Sequence, residues 1–228
     1  MKGGKLPIKQ IKAFLEASYD VKDTKPEING YILDRELSNK WGKVFYNSAL
    51  KKAVVAHRGT RNAKDWRNNA LIGIGAYKLS DRFKTGQLLQ NQAEAKYKGY
   101  KIYTLGHSQS GQLVNLLGKN TVGVSVNPAY VTAINGEYQG KNEFTLRSSF
   151  DPVSGVTKNL QSAVLNVTNP NFNKRNNIVI PAETNDLLKE HSLDILDRLP
   201  QDMLIGRGRN KMNVNMKKLN YYKKLLSI

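Results

Sequence analysis

Apolar residues recur along the chain with two different periods, and the switch between them marks the elements. In residues 6–18, LPIKQIKAFLEAS, the positions Ile8, Ile11, Phe14 and Leu15 share one stripe of a helix, with Pro7 tolerated in the first turn. A polar stretch containing Pro26 and Gly30 leads to KVFYNS (43–48) and KKAVVAH (51–57), whose β-branched and aromatic content around a short connection predicts a hairpin. Leu88, Leu89, Gln92, Ala93 and Lys96 set a helix over roughly 82–98, and KIYTLG (101–106) follows Gly99 as a strand. GHSQSG (106–111) separates that strand from QLVNLLGKN, where Leu113, Leu116 and Leu117 fit a helix, and VGVSVN (122–127) reads as the next strand. Further strand candidates lie at 144–150, 163–167 and 176–180, ahead of a helical segment from Asn185 toward Arg198. Alternating β and α elements predict an α/β sheet with helices on both faces and a β-hairpin before it.

Composition narrows the function. The 228 residues suit one domain with a real core, expected to span 1–202. The absence of Cys excludes a disulfide scaffold, a zinc finger, a thiolate nucleophile and an iron–sulfur cluster. Three His cannot build more than one metal or catalytic centre, and no metal or cofactor is called for. Lys and Arg outnumber Asp and Glu by 36 to 18, and residues 1–12 and 203–228 together supply eleven of the eighteen excess charges. The body is therefore only mildly basic, and 203–228 reads as a basic arm. As a helix it would carry Leu219, Tyr222, Leu225 and Leu226 between Lys217, Lys218, Lys223 and Lys224. That pattern fits attachment to an anionic membrane, a tail packed on the body, or salt-sensitive association with nucleic-acid phosphates through RGRNK. MKGGKLPIKQ is basic without an apolar run behind it and does not resemble a secretory signal, so the expectation is an intracellular, cytoplasmic protein, with membrane or virion association as variants of that expectation.

The chemistry concentrates in GHSQSG. A serine hydroxyl is a poor nucleophile unless a sharp turn exposes it, a base sits beside it and N–H groups face the developing oxyanion. In a strand-turn-helix, Ser108 would occupy the apex, while Gly106, Ser110 and Gly111 are small enough for the helix to pass close to the sheet. The N–H of Gln109 would then face the substrate carbonyl. Read without that context, Ser108 could equally be a helix N-cap.

KKAVVAHRGT, then DW, then a helix and YTLGHSQSG resemble the class 3 (fungal-type) lipase-like α/β-hydrolases, over roughly residues 30–200. Members of that family carry a hydrophobic strand ending in RGT or RGS, then DW, then GHSLGG. The resemblance implies an α/β-hydrolase-type, mostly parallel sheet, with Thr60 and the N–H of Gln109 forming the oxyanion hole. Gln109 and Ser110 depart from the usual Leu and Gly.

Three histidines restrict the choice of base. His57 precedes the oxyanion loop, and the His107 side chain should point away from that of its neighbour Ser108. His191, in KEHSLDIL, taken alone also fits a surface histidine near a helix start. The shortage of histidines together with the resemblance, which implies the order Ser, acid, His, makes it the candidate base. Asp151 ends the strand LRSSF and opens an Asp-Pro-Val that resembles the family's catalytic-acid loop, although an Asp before Pro is also a common cap. Asp186 is the runner-up acid, and Asp194 follows His191 and is out of order. Asp65 and Trp66 read as structural, and 68–79 as a buried core segment or an apolar flap beside the site.

Two functions of different class follow. One is a serine hydrolase of lipid carboxylic esters, acylglycerols or phospholipids, acting through Ser108, Asp151 and His191 with no obligate protein partner. The other is an inactive hydrolase scaffold attached through its basic ends to membranes, nucleic acid or a virion-like assembly.

Overall fold

The computed structural model describes residues 5–60, 81–117, 121–129, 142–154 and 176–206. The chain enters through β1 (Lys5–Pro7) and α1 (Ile8–Tyr19), then lays down β2 (Glu27–Ile28), β3 (Tyr31–Leu33), β4 (Gly42–Asn47) and β5 (Lys52–His57). After α2 (Asp81–Lys96) come β6 (Lys101–His107), a 3-10 turn at Ser108–Ser110, α3 (Gly111–Leu117), β7 (Val122–Val126), β8 (Glu143–Ser148) and β9 (Asn176–Ile180). The described chain closes with α4 (Leu187–His191), a 3-10 helix at Leu193–Arg198, and β10 (Leu204–Gly206).

Strands β2 to β9 form one sheet in sequence order. The first four are joined antiparallel, and from β5 onward every pairing is parallel. The expected hairpin is the β4–β5 pair, in register from Gly42 opposite His57 to Asn47 opposite Lys52. In a parallel sheet whose strands run in sequence order, right-handed crossovers place the connecting helices on one face. The other face needs a cover from outside those crossovers, and α1 with the Leu193–Arg198 turn supplies it. Alternate residues of β5 record the two faces: Val54 and Ala56 pack in the cluster of Ile11, Phe14, Leu15 and Leu196, whereas Ala53 and Val55 pack with Leu89 and Ala93 of α2. The apolar stripe read in α1 is all buried, and helices on both faces are observed.

Some elements differ from the sequence reading. The polar stretch after α1 contains β2 and β3, too short to show a period. β10 pairs antiparallel with β1, setting Leu6 opposite Ile205, both fully buried. Residues 203–206, read as the start of the basic arm, are thus built into the body, while 207–228 lie outside the described residues. So do the strand expected at 163–167, Asp65, Trp66 and the segment 68–79. Among the described residues no helix is long and apolar enough to cross a membrane.

Candidate active site

β6 ends at His107 and the chain turns at once into the 3-10 turn that leads to α3. Ser108 sits at that turn with φ +58, a left-handed conformation that non-glycine residues rarely adopt and that surrounding structure must enforce. The enforcement is visible in the packing. A Cβ on Gly106 would lie 2.7 Å from the Ser110 carbonyl carbon, and one on Gly111 would lie 2.5 Å from the Pro128 Cβ. Ser110 is fully buried and its hydroxyl is in use: it accepts from the His107 N–H at 2.9 Å and reaches the His57 carbonyl at 2.7 Å. The serine that replaces the usual glycine therefore links the ends of β5 and β6 instead of disturbing the turn.

The structure brings Ser108, His191 and Asp151 together from three parts of the chain. Ser108 Oγ lies 2.8 Å from His191 Nε2, and His191 Nδ1 lies 2.7 Å from Asp151 Oδ1. A carboxylate only accepts, so Nδ1 carries the proton and Nε2 is left to accept from the serine hydroxyl. All three residues are buried. Asp151 follows β8 and also takes the backbone N–H groups of Val153 at 3.3 Å and Ser154 at 2.9 Å. It is thus a cap as well as the partner of the imidazole.

Thr60 follows β5 and donates its hydroxyl to the Gln109 side-chain carbonyl at 2.8 Å. The two residues assigned to the oxyanion hole are therefore neighbours, and the glutamine that departs from the motif is what touches Thr60. The runner-up acid, Asp186, and the out-of-order Asp194 lie elsewhere. Asp186 caps α4 through the N–H groups of Leu188 and Lys189, and Asp194 is an exposed partner of Lys12.

The other two histidines are held neutral. His57 is fully buried, donates from Nε2 to Gln90 at 3.2 Å, and is pushed down to about 4 by burial. Burial and then the nearby His191 push His107 down to about 3. Its ring is turned from Ser108, with Nε2 2.8 Å from the His191 carbonyl oxygen and Nδ1 2.8 Å from Tyr19 Oη.

Beyond His191 lies a charged network absent from the sequence reading. Glu190 is fully buried, and its carboxylate takes Arg198 at 2.8 and 2.9 Å, the N–H groups of Glu183 and Thr184 at 3.1 Å each, and the Ser148 hydroxyl. Burial opposes its ionisation, but Arg198 leads the donors that overcome this and hold the carboxyl down at about 2. Asn127, with φ +42, spans the same region: its amide donates to the Glu190 carbonyl at 2.9 Å and its side-chain oxygen accepts from the Ser148 N–H at 2.9 Å. The only sequence cues were Glu190 beside His191 and Asn127 at the carboxyl end of a strand. Among the described residues no group of three or more His, Asp or Glu is arranged to hold a metal ion.

A serine on a left-handed turn between a parallel strand and a helix, with an aspartate after β8 and a histidine at the end of α4 following it in chain order, gives the fold its class: it is of the α/β-hydrolase type. No family model and no curated protein matches the chain. Solved structures similar to it include fungal lipases. A triacylglycerol lipase from Penicillium expansum is 18% identical over 64% of this chain and 71% of that one, with a TM-score of 0.43. A lipase from Yarrowia lipolytica is 14% identical over 68% and 77%, at 0.47, and one from Rhizopus microsporus var. chinensis is 18% identical over 65% and 67%, at 0.45.

Proposed function

We propose that this protein is a serine hydrolase that cleaves carboxylic esters of lipids, acylglycerols or phospholipids, by way of an acyl-enzyme. The observation that carries this reading is the unbroken line from the Ser108 hydroxyl through both nitrogens of His191 to Asp151. In this mechanism Ser108 Oγ attacks the acyl carbonyl as its proton passes to His191 Nε2. Asp151 holds the imidazole in the Nδ1–H form and stabilises the imidazolium. The negative oxygen of the tetrahedral intermediate is met by the N–H of Gln109, at the start of the turn, and by Thr60. His191 then returns the proton to the leaving alcohol, and water, activated by the same nitrogen, releases the acid.

A lipid substrate is supported by exposed apolar side chains close in sequence to the acid and base. Phe150 precedes Asp151 with 49% of its surface exposed, and Leu187 and Leu188, on the helix that ends in His191, are 39% and 57% exposed. Such side chains suit an acyl chain better than a charged substrate.

The test is labelling with a fluorophosphonate, which reacts with activated serines, read by intact mass alongside hydrolysis of a p-nitrophenyl ester. Wild type should take one adduct. Ser108→Ala should take none and lose roughly a thousandfold or more in kcat while keeping its folded spectrum. A variant as fast as wild type would remove Ser108 from the reaction.

A further inference from the structure

The Tyr19 and His107 side chains lie between the two loops that the reaction needs. Tyr19 is the last residue of α1, and its Oη is 2.8 Å from His107 Nδ1. The same oxygen lies hard against the backbone of Gly59, the residue before Thr60. On the other side of the ring, His107 Nε2 is 2.8 Å from the backbone carbonyl oxygen of His191. The direction of each bond is forced. A carbonyl only accepts, so His107 carries its proton on Nε2; its Nδ1 must then accept, so the tyrosine hydroxyl donates to it.

We infer that Tyr19 and His107 form a positioning relay, from Tyr19, packed against the Gly59 backbone, through His107 to the His191 carbonyl, that sets the oxyanion loop and the base at fixed separation for the reaction. This rests on the ester-hydrolase reading above and adds two residues to it. The relay is matched in shape as well as in hydrogen bonding. A Cβ on Gly59 would collide with Tyr19 Oη and come within 2.6 Å of the His107 carbonyl oxygen, so the loop approaches the tyrosine as closely as a backbone can. The His107 and His191 rings lie 5.3 Å apart, and the first must stay uncharged when the second takes the serine proton. Burial keeps it so, holding His107 down at about 3. The relay also disarms His107: its one free lone pair is occupied by Tyr19, so it cannot compete with His191 for the proton of Ser108. A displacement of about 1 Å in a reacting group costs up to roughly a hundredfold in rate, so a device that fixes this separation acts on kcat.

Tyr19→Phe keeps the ring and deletes only the hydroxyl. With active sites counted by fluorophosphonate titration, its kcat on p-nitrophenyl butyrate should fall about tenfold with KM within about twofold of wild type. His107→Gln, whose amide can still donate to the His191 carbonyl, should retain more turnover per titrated site than His107→Leu. Ring 15N shifts of the wild-type protein should show His107 neutral and protonated on Nε2, a readout that needs no activity. Variants that lose thermal stability but match wild type in kcat per titrated site would reduce the contact to packing and overturn the relay, as would an Nδ1-protonated His107. A folded wild type that takes no probe and hydrolyses no ester would overturn the ester-hydrolase reading and the relay with it, a result distinct from slow or fast variants of a reactive wild type.

Discussion

On the elbow side of His191 the supporting side chains are uncharged, although Arg58 and Arg82 lie near enough to act on Tyr19, and Arg82 on His57. His107 and His57 are buried without charge, Ser110 and Tyr19 contribute hydroxyls, and Ser108 is held by backbone geometry, at φ +58 with glycines where no Cβ fits. On the other side the helix that carries His191 is fixed by a buried ion pair, Glu190 with Arg198, and by the Asn127 amide. The same imidazole is thus held by steric exclusion on one flank and by compensated charge on the other. The difference teaches where each flank is vulnerable: the first to added atoms, the second to a removed partner.

The largest effect should come from removing that partner. Arg198→Ala leaves a carboxylate in a fully buried position with only neutral donors, and the loss in unfolding free energy should be about 3–5 kcal/mol by urea titration at pH 7. Glu190→Gln added to Arg198→Ala should recover part of it, because the uncompensated charge is gone. No recovery would show that Arg198 acts by packing alone.

The neutral flank should be felt in the pH dependence. Both buried histidines have folded pKa values below the ordinary 6.5, at about 4 and about 3, so the unfolded chain binds more protons and stability falls as pH drops below 6.5. Glu143 has the opposite sign: burial pushes its carboxyl from 4.5 up to about 8, so stability rises as pH falls from 8 toward 4.5. Glu143 acts alone from 8 to 6.5, and below that the two rings outweigh it. Unfolding free energy should therefore peak near pH 6.5 and decline toward pH 5. Glu143→Gln should flatten the upper limb while leaving the acid side in place, and a wild-type curve that rises steadily down to pH 5 would mean that the rings are not buried neutral.

The smallest effect should come from Asp186→Ala, which deletes the α4 cap. A cost of about 1 kcal/mol in stability with esterase turnover nearly unchanged is expected. A collapse of kcat with little loss of stability would instead make Asp186 the acid partner of His191.

The sequence by itself determined what is local. The stripe Ile8, Ile11, Phe14 and Leu15, the β4–β5 hairpin and the turn around Ser108 each follow from side-chain period or residue size within a few positions, because helix, strand and tight turn are selected by neighbours along the chain. The candidate triad was legible only through the scarcity of histidines and a family resemblance. Its geometry joins residues up to 83 positions apart, and no period encodes that. The strands β2 and β3 were too short to announce themselves, and β1 with β10 is a pairing of opposite ends of the described chain, which local pattern cannot show. What only the tertiary structure decided is which polar groups share a desolvated space. Once buried, Glu190 requires Arg198 and His107 must remain neutral between Tyr19 and the His191 carbonyl, since an unmatched charge or donor there has no water to turn to.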